Sequence, residues 1–164
     1  MFKFKALWML VLLFTVAIVG CSGEETSPAK PSVGIAMDVY KSPTCGCCVD
    51  WITHIEDNGF SAKTHHPEDL DRLKADKGIA RHLQSCHTGV TQEGYVFEGH
   101  VPARYIQQFL EDTPEGAIGL SVPGMPVGSP GMEIGDRFTP YQVVLLKADG
   151  SAEVYASIQT PADQ

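Results

Sequence analysis

Apolar and polar positions divide this chain into an address and a fold. Ala6 to Val19 is an apolar run behind Lys3 and Lys5, shorter than the roughly 20 residues needed to span a bilayer. After residue 32 the pattern becomes periodic. Ile35 to Tyr40 alternates, which predicts a first strand with Ile35 and Val39 on one face. Lys41 to Thr44 reads as a turn, and a helix should begin near Cys45 to Cys47. Val49, Ile52 and Ile55, with Trp51, would form its buried stripe, and Asn58-Gly59 would stop it. Phe60 to Thr64 suits a second strand. His65-His66-Pro67 then leads into a helix over Glu68 to Lys77, with Leu70 and Leu73 inward. A strand–helix–strand opening of this kind demands a parallel pair.

The remainder carries weaker signals. Ile79 to Gln84 can form a short helix that delivers Cys86 in the loop Ser85-Cys86-His87-Thr88-Gly89, and Gly94 to Glu98 reads as a short strand. Pro102 to Glu111 predicts a helix opened by proline, with Tyr105, Ile106, Phe109 and Leu110 apolar. Gly116 to Asp136 is dense in Gly and Pro, and a loop of that length inside a compact domain is usually functional or disordered. Tyr141 to Leu146 and Ala152 to Ile158 flank Asp149-Gly150, a strong hairpin signal. No internal repeat is evident. This order predicts an α/β, thioredoxin-like fold, a mixed sheet flanked by helices. Thr139-Pro140-Tyr141, just before that hairpin, sits where thioredoxin-like proteins carry a cis-proline facing the active site, so Pro140 is a candidate for it.

The N-terminal run ends in Ile18-Val19-Gly20-Cys21, which resembles a bacterial lipoprotein signal. Residues 1–20 would then be removed, Cys21 would be acylated, and residues 21–32, rich in Ser, Pro, Glu and Lys, would tether a domain over 33–164. The expected location is the periplasm, on the outer membrane of a Gram-negative cell, since Ser22 is not aspartate. The domain has about 130 residues, enough for one core. The formal net charge is −8, and no basic patch is visible, which argues against a nucleic-acid partner.

Cysteine placement changes the picture most. Of five cysteines, lipid would take one. Three of the other four lie in Cys45-Gly46-Cys47-Cys48, with Cys86 alone downstream. Two structural disulfides would usually join distant parts of a chain, and a bridge between neighbours such as Cys47 and Cys48 is strained. A helix start has unpaired N–H groups and the positive end of the dipole, and both favour thiolate. The cluster is therefore a soft-metal site or a redox site.

Four stretches, Tyr40-Lys41-Ser42-Pro43-Thr44-Cys45-Gly46-Cys47-Cys48, Ser85-Cys86-His87-Thr88, Glu98-Gly99-His100-Val101-Pro102-Ala103, and Gly124-Met125-Pro126 through Gly131-Met132-Glu133, carry a further resemblance. With these motifs in this order, the chain resembles the CopG type of bacterial periplasmic, thioredoxin-like metal-binding proteins associated with copper resistance. The resemblance covers nearly the whole mature domain. It implies a thioredoxin-like fold, copper bound through Cys45, Cys47, Cys48 and Cys86, and copper export or resistance proteins as partners.

Cu(I) is soft and prefers thiolate and thioether, with imidazole next. Helix neighbours point about 100° apart, so diverging Cys47 and Cys48 suit a small multi-copper thiolate cluster better than one closed tetrahedral site. A single Zn(Cys)4 site is the geometric alternative. A thiol-disulfide oxidoreductase using the Cys45/Cys48 pair is the functional one. His87, Met125 and Met132 are possible auxiliary ligands, and His82 and His100 could face the site. His54, His65 and His66 read as surface, packing or capping groups, and Lys41 as solvated. No catalytic triad, phosphate loop or organic cofactor site stands out.

Overall fold

A computed structural model describes residues 34–164; the leader, Cys21 and the tether lie outside them. Strand β1 (Ile35–Lys41) runs into helix α1 (Gly46–Asp57), strand β2 (Phe60–His65) and helix α2 (Leu70–Asp76). A single turn of 3-10 helix, Arg81–Leu83, precedes the hairpin of β3 (His87–Thr91) and β4 (Val96–Glu98), and helix α3 (Ala103–Glu111) follows. Three further strands, β5 (Ala117–Ser121), β6 (Tyr141–Lys147) and β7 (Ala152–Ile158), complete one seven-stranded sheet in the order β2-β1-β3-β4-β5-β6-β7. Among the described residues no helix is long and apolar enough to cross a membrane.

The first part is the thioredoxin-like core. β1 and β2 pair in parallel, Ile35 opposite Phe60 and Tyr40 opposite His65, and β3 lies antiparallel on the other side of β1. Strand β4 is antiparallel to β3 and parallel to β5, and β5 to β7 form an antiparallel extension. The main core is built from Met37, Val39, Trp51, Ile55, Phe97, Ile106, Phe109, Leu120 and Val143 with their neighbours.

The structure corrects the sequence pattern in four places. The hairpin closing the thioredoxin-like core is β3–β4, and Tyr141–Ile158 sits at the far edge of the extension. The segment entering the core hairpin is therefore Ser85-Cys86. Pro140 lies elsewhere, is exposed, and is trans, since no cis peptide bond occurs among the described residues. The buried stripe of α1 is Cys48, Trp51 and Ile55, while Val49 is 51% exposed. The i, i+3, i+7 spacing of that stripe follows the helical period, with cysteine acting as a small hydrophobe. Finally, Gly116–Asp136 is not all loop, because Ala117–Ser121 forms β5.

A candidate metal and thiol site at the start of α1

The turn Lys41–Thr44 closes when the Cys45 N–H reaches the Ser42 carbonyl at 3.2 Å. Cys45 then stands at the helix N-cap in extended conformation, and no side chain caps the helix. The N–H groups of the first turn are left without a side-chain cap beside the cysteines. Placing Cys45 just outside the helix also cancels the divergence expected from helical spacing. Its Sγ lies 3.6 Å from Cys47 Sγ, and the sulfurs of Cys45, Cys47, Cys48 and Cys86 all lie within 4.8 Å of one another. In the structure Cys45 and Cys48 form a disulfide across a Cα–Cα distance of 5.4 Å, while Cys47 and Cys86 are free thiols.

Cys86 arrives from the loop that precedes β3. Its Sγ is 3.3 Å from His87 Nδ1 and 3.1 Å from His100 Nε2. Burial, and after it the charge of Cys47, pushes the Cys86 thiol up to about 12. Both histidines are fully buried. Burial drives His87 well below its ordinary value, and repulsion between its protonated form and neighbouring cationic groups, His100 when protonated, Lys74 and Lys41, adds to it. Burial also lowers His100, against its hydrogen bond to the Pro130 carbonyl. Both rings are thus neutral at pH 7 and have a lone pair to offer, the state in which imidazole binds metal.

Two polypeptide stretches enclose these groups. Below Cys86, Lys74 and Glu98 form a buried ion pair, and both also hold the Ser85 backbone. Thr88 Oγ1 donates to the other Glu98 oxygen at 2.6 Å. Above, the Gly/Pro segment between β5 and β6 straps across the site. The Gly124 N–H reaches the Gln84 carbonyl at 3.2 Å, and Ser85 Oγ donates to the Gly124 carbonyl. His100 Nδ1 meets the Pro130 carbonyl at 2.8 Å. Gly131 lies so close to α1 that a Cβ there would stand 2.6 Å from Trp51 N and 2.7 Å from the Cys47 oxygen.

Two solved structures are similar to this chain. Copper resistance protein CopG, form 2, is 46% identical, with a TM-score of 0.72 over 77% of this chain and 99% of that one. Form 1 of the same protein is 48% identical, with a TM-score of 0.71 over 76% and 97%. The chain belongs to the CopG family. A family described as "Protein of unknown function, DUF411" matches residues 83–132, the stretch that brings Cys86, His87, Glu98, His100 and the strap to the site. No curated protein matches the sequence. Membership of the CopG family and a cysteine cluster able to hold a metal ion tie this chain to copper.

The other residues singled out from sequence fall into place around this CopG-family site. His87 is fully buried at the start of β3, with the Trp51 ring tilted 43° against it at a centroid distance of 4.2 Å. Met125 is 53% exposed, and Met132 is half-buried with its backbone bonded into the strap. His82 is exposed. His65 bonds Asp38 at 2.6 Å, and His66 bonds the Lys41 carbonyl at 3.0 Å. His54 accepts the Ala103 N–H at the start of α3. Lys41 is 3% exposed, not solvated, and its Nζ turns back onto the Ser42 carbonyl at 2.9 Å. The pairing of Lys74 with Glu98 escapes sequence reading, because single charged residues in a helix and a strand look like surface.

Proposed function

We propose that this chain is an envelope copper-binding protein that holds Cu(I) through Cys45, Cys47, Cys48 and Cys86. In this reading it serves copper resistance, tethered in the periplasm by acyl chains on Cys21, and it passes copper to an export or resistance partner. The observation that carries the reading is the convergence of four sulfurs within 4.8 Å at an uncapped helix start. The donor set is wholly soft, which suits Cu(I). Four thiolates carry four negative charges, and one Cu(I) offsets only one of them. Several Cu(I) ions sharing bridging sulfurs balance the charge better, so the site is read as a small multi-copper cluster. Structures of a copper resistance protein that are nearly half identical to this chain support copper over zinc.

The Cys45–Cys48 disulfide favours a second reading, a thiol-disulfide oxidoreductase. The two states exclude each other at the level of electrons. Reduction of the bridge takes two electrons and two protons, and only then are all four sulfurs free as ligands. The test is a Cu(I) titration of residues 22–164, which hold four of the five cysteines, reduced and without oxygen, against a competing chelator, with free thiols counted in parallel. More than one tightly held copper per chain, with all four thiols consumed and Cys86→Ser lowering the count, is the expected result. No tight copper, with one disulfide readily formed and insulin reduced, would replace this reading with the oxidoreductase.

A further inference from the structure

A cavity of about 460 Å³ opens between α1, the later part of the strap and the 3-10 turn Pro161–Asp163 that follows β7. It lies away from the cysteines. Its α1 residue is His54, about two helical turns beyond Cys47. Both of its lips are fixed to the rest of the fold. Gln164 Nε2 donates to the Gly128 carbonyl at 2.7 Å, which joins the segment after β7 to the strap. Tyr105 Oη donates to the Asp163 carbonyl at 2.6 Å, which joins the same segment to α3. The volume falls in the range of small-molecule sites, where apolar walls carry a few convergent polar groups.

The polar groups here are of both signs. Glu133, Asp136 and Arg137 border the cavity, and the four ion pairs among the described residues include none of them. The turn that closes where the Arg137 N–H meets the Ile134 carbonyl at 3.2 Å brings these charges to one rim. They are thus near each other without neutralising each other. His54 adds a donor. Its Nε2 accepts the Ala103 N–H at 3.0 Å, so in the neutral ring Nδ1 carries the proton. No acceptor for that proton occurs among the described residues. This tautomer has no lone pair left for a metal ion, and it suits a carboxylate or carbonyl oxygen. Phe138 and Pro161 supply the apolar wall.

We propose that this cavity binds a small zwitterion of the α-amino acid class, its carboxylate held by Arg137 and the His54 Nδ1–H and its ammonium group by Glu133 and Asp136. A guanidinium presents parallel donors to both oxygens of a carboxylate. A simple cation would meet Arg137, and a simple anion would meet two carboxylates. A ligand with both charges on a short frame satisfies every polar group of the lining, with its side chain against Phe138 and Pro161. The inference does not depend on the copper reading.

An amide-shift titration of the metal-free full chain by NMR tests it, with glycine, L-leucine, L-glutamine and L-phenylalanine as probes. Acetate and methylammonium serve as probes with one charge each. At least one amino acid should move the signals of His54, Glu133 to Phe138 and Gln164, with a Kd of about 1 mM or tighter. Acetate and methylammonium should each bind at least about tenfold more weakly. Arg137→Gln and Glu133→Gln, both at exposed positions, should each weaken the amino acid about tenfold while the unfolding midpoint stays unchanged. No shift at these signals with any of the four amino acids at about 10 mM would overturn the proposal. Equal affinity for methylammonium alone, or binding that Arg137→Gln leaves untouched, would overturn it as well.

Discussion

Lys74 and Glu98 are an ion pair with almost no exposed surface, and between them they grip both backbone polar groups of Ser85. Lys74 Nζ donates to the Ser85 carbonyl at 3.0 Å, and a Glu98 oxygen accepts the Ser85 N–H at 2.6 Å. The position of Cys86, the next residue, is thereby set by two charges from different elements. Lys74→Met leaves the Glu98 carboxylate buried without its counter-ion, which should cost about 3–5 kcal/mol. Urea unfolding of the metal-free protein measures this. The double variant Lys74→Met, Glu98→Gln should recover part of the loss, because the orphaned charge is gone. An unchanged midpoint in Lys74→Met would show that the pair does not hold the fold.

Gly46 and Gly131 both lie beside α1 and should respond oppositely to alanine. Gly46 opens α1, and a Cβ there meets nothing within 4 Å. Gly46→Ala should raise stability by about 0.4–1 kcal/mol through the unfolded chain. Gly131 has φ +82° and no room against α1, so Gly131→Ala should cost at least about 1–2 kcal/mol. Unfolding midpoints of the two variants should therefore move in opposite directions, and equal shifts would contradict the packing of the strap on α1.

The legible parts of the fold are those where burial is one-sided. The opening β1–α1–β2 and the β6–β7 hairpin show clean periods and turn residues, so they can be read from spacing alone. Strand β3 is His-Thr-Gly-Val-Thr, buried at all five positions in the middle of the sheet. Only Thr88 among its polar side chains finds a buried hydrogen-bond partner for its hydroxyl, in Glu98, while Thr91 Oγ1 and His87 Nε2 have none among the described residues, and no alternation survives. Strand β5 is short and contains Gly119, which hides it among the turn glycines that follow. The four cysteines are visible as a motif, but their convergence is not, because it depends on Cys45 stepping out of the helix. The placement of His87 and His100 depends on strand pairing and on the Pro130 carbonyl, neither of which has a local signature.

Cys86 should be slow to react in the metal-free disulfide form. Burial first, and Cys47 next, raise its thiol from 9.0 to about 12. At pH 8 the thiolate fraction is then smaller by about a thousandfold, offset in part by the greater nucleophilicity of a more basic thiolate. Iodoacetamide should alkylate Cys86 roughly 30- to 100-fold more slowly than an unperturbed cysteine. Peptide mapping over time gives the rate. Alkylation at the ordinary rate would mean that the loop opens readily.

His54 predicts a loss of stability on acidification. Burial lowers its folded value below 6.5, against the raising effects of Glu133 and Asp57, and its Nε2 must stay bare to accept the Ala103 N–H at 3.0 Å. Below pH 6.5 the unfolded chain therefore binds a proton that the folded chain resists. Stability is fully present above that pH and falls below it, by at most about 1.4 kcal/mol per pH unit for this one group. Denaturant midpoints at pH 7.5 and 5.5 should differ less in His54→Gln than in the wild type, and equal differences would remove His54 from the account.

The strap between β5 and β6 lies outside the thioredoxin-like core, yet it supplies the Pro130 carbonyl and the close approach of Gly131 to α1. All four cysteines of the site, by contrast, lie before Glu111. The cysteine sulfurs and the strap are thus written in separate stretches of the chain, so this one wall of the site can be rebuilt by exchanging a loop while each cysteine keeps its address.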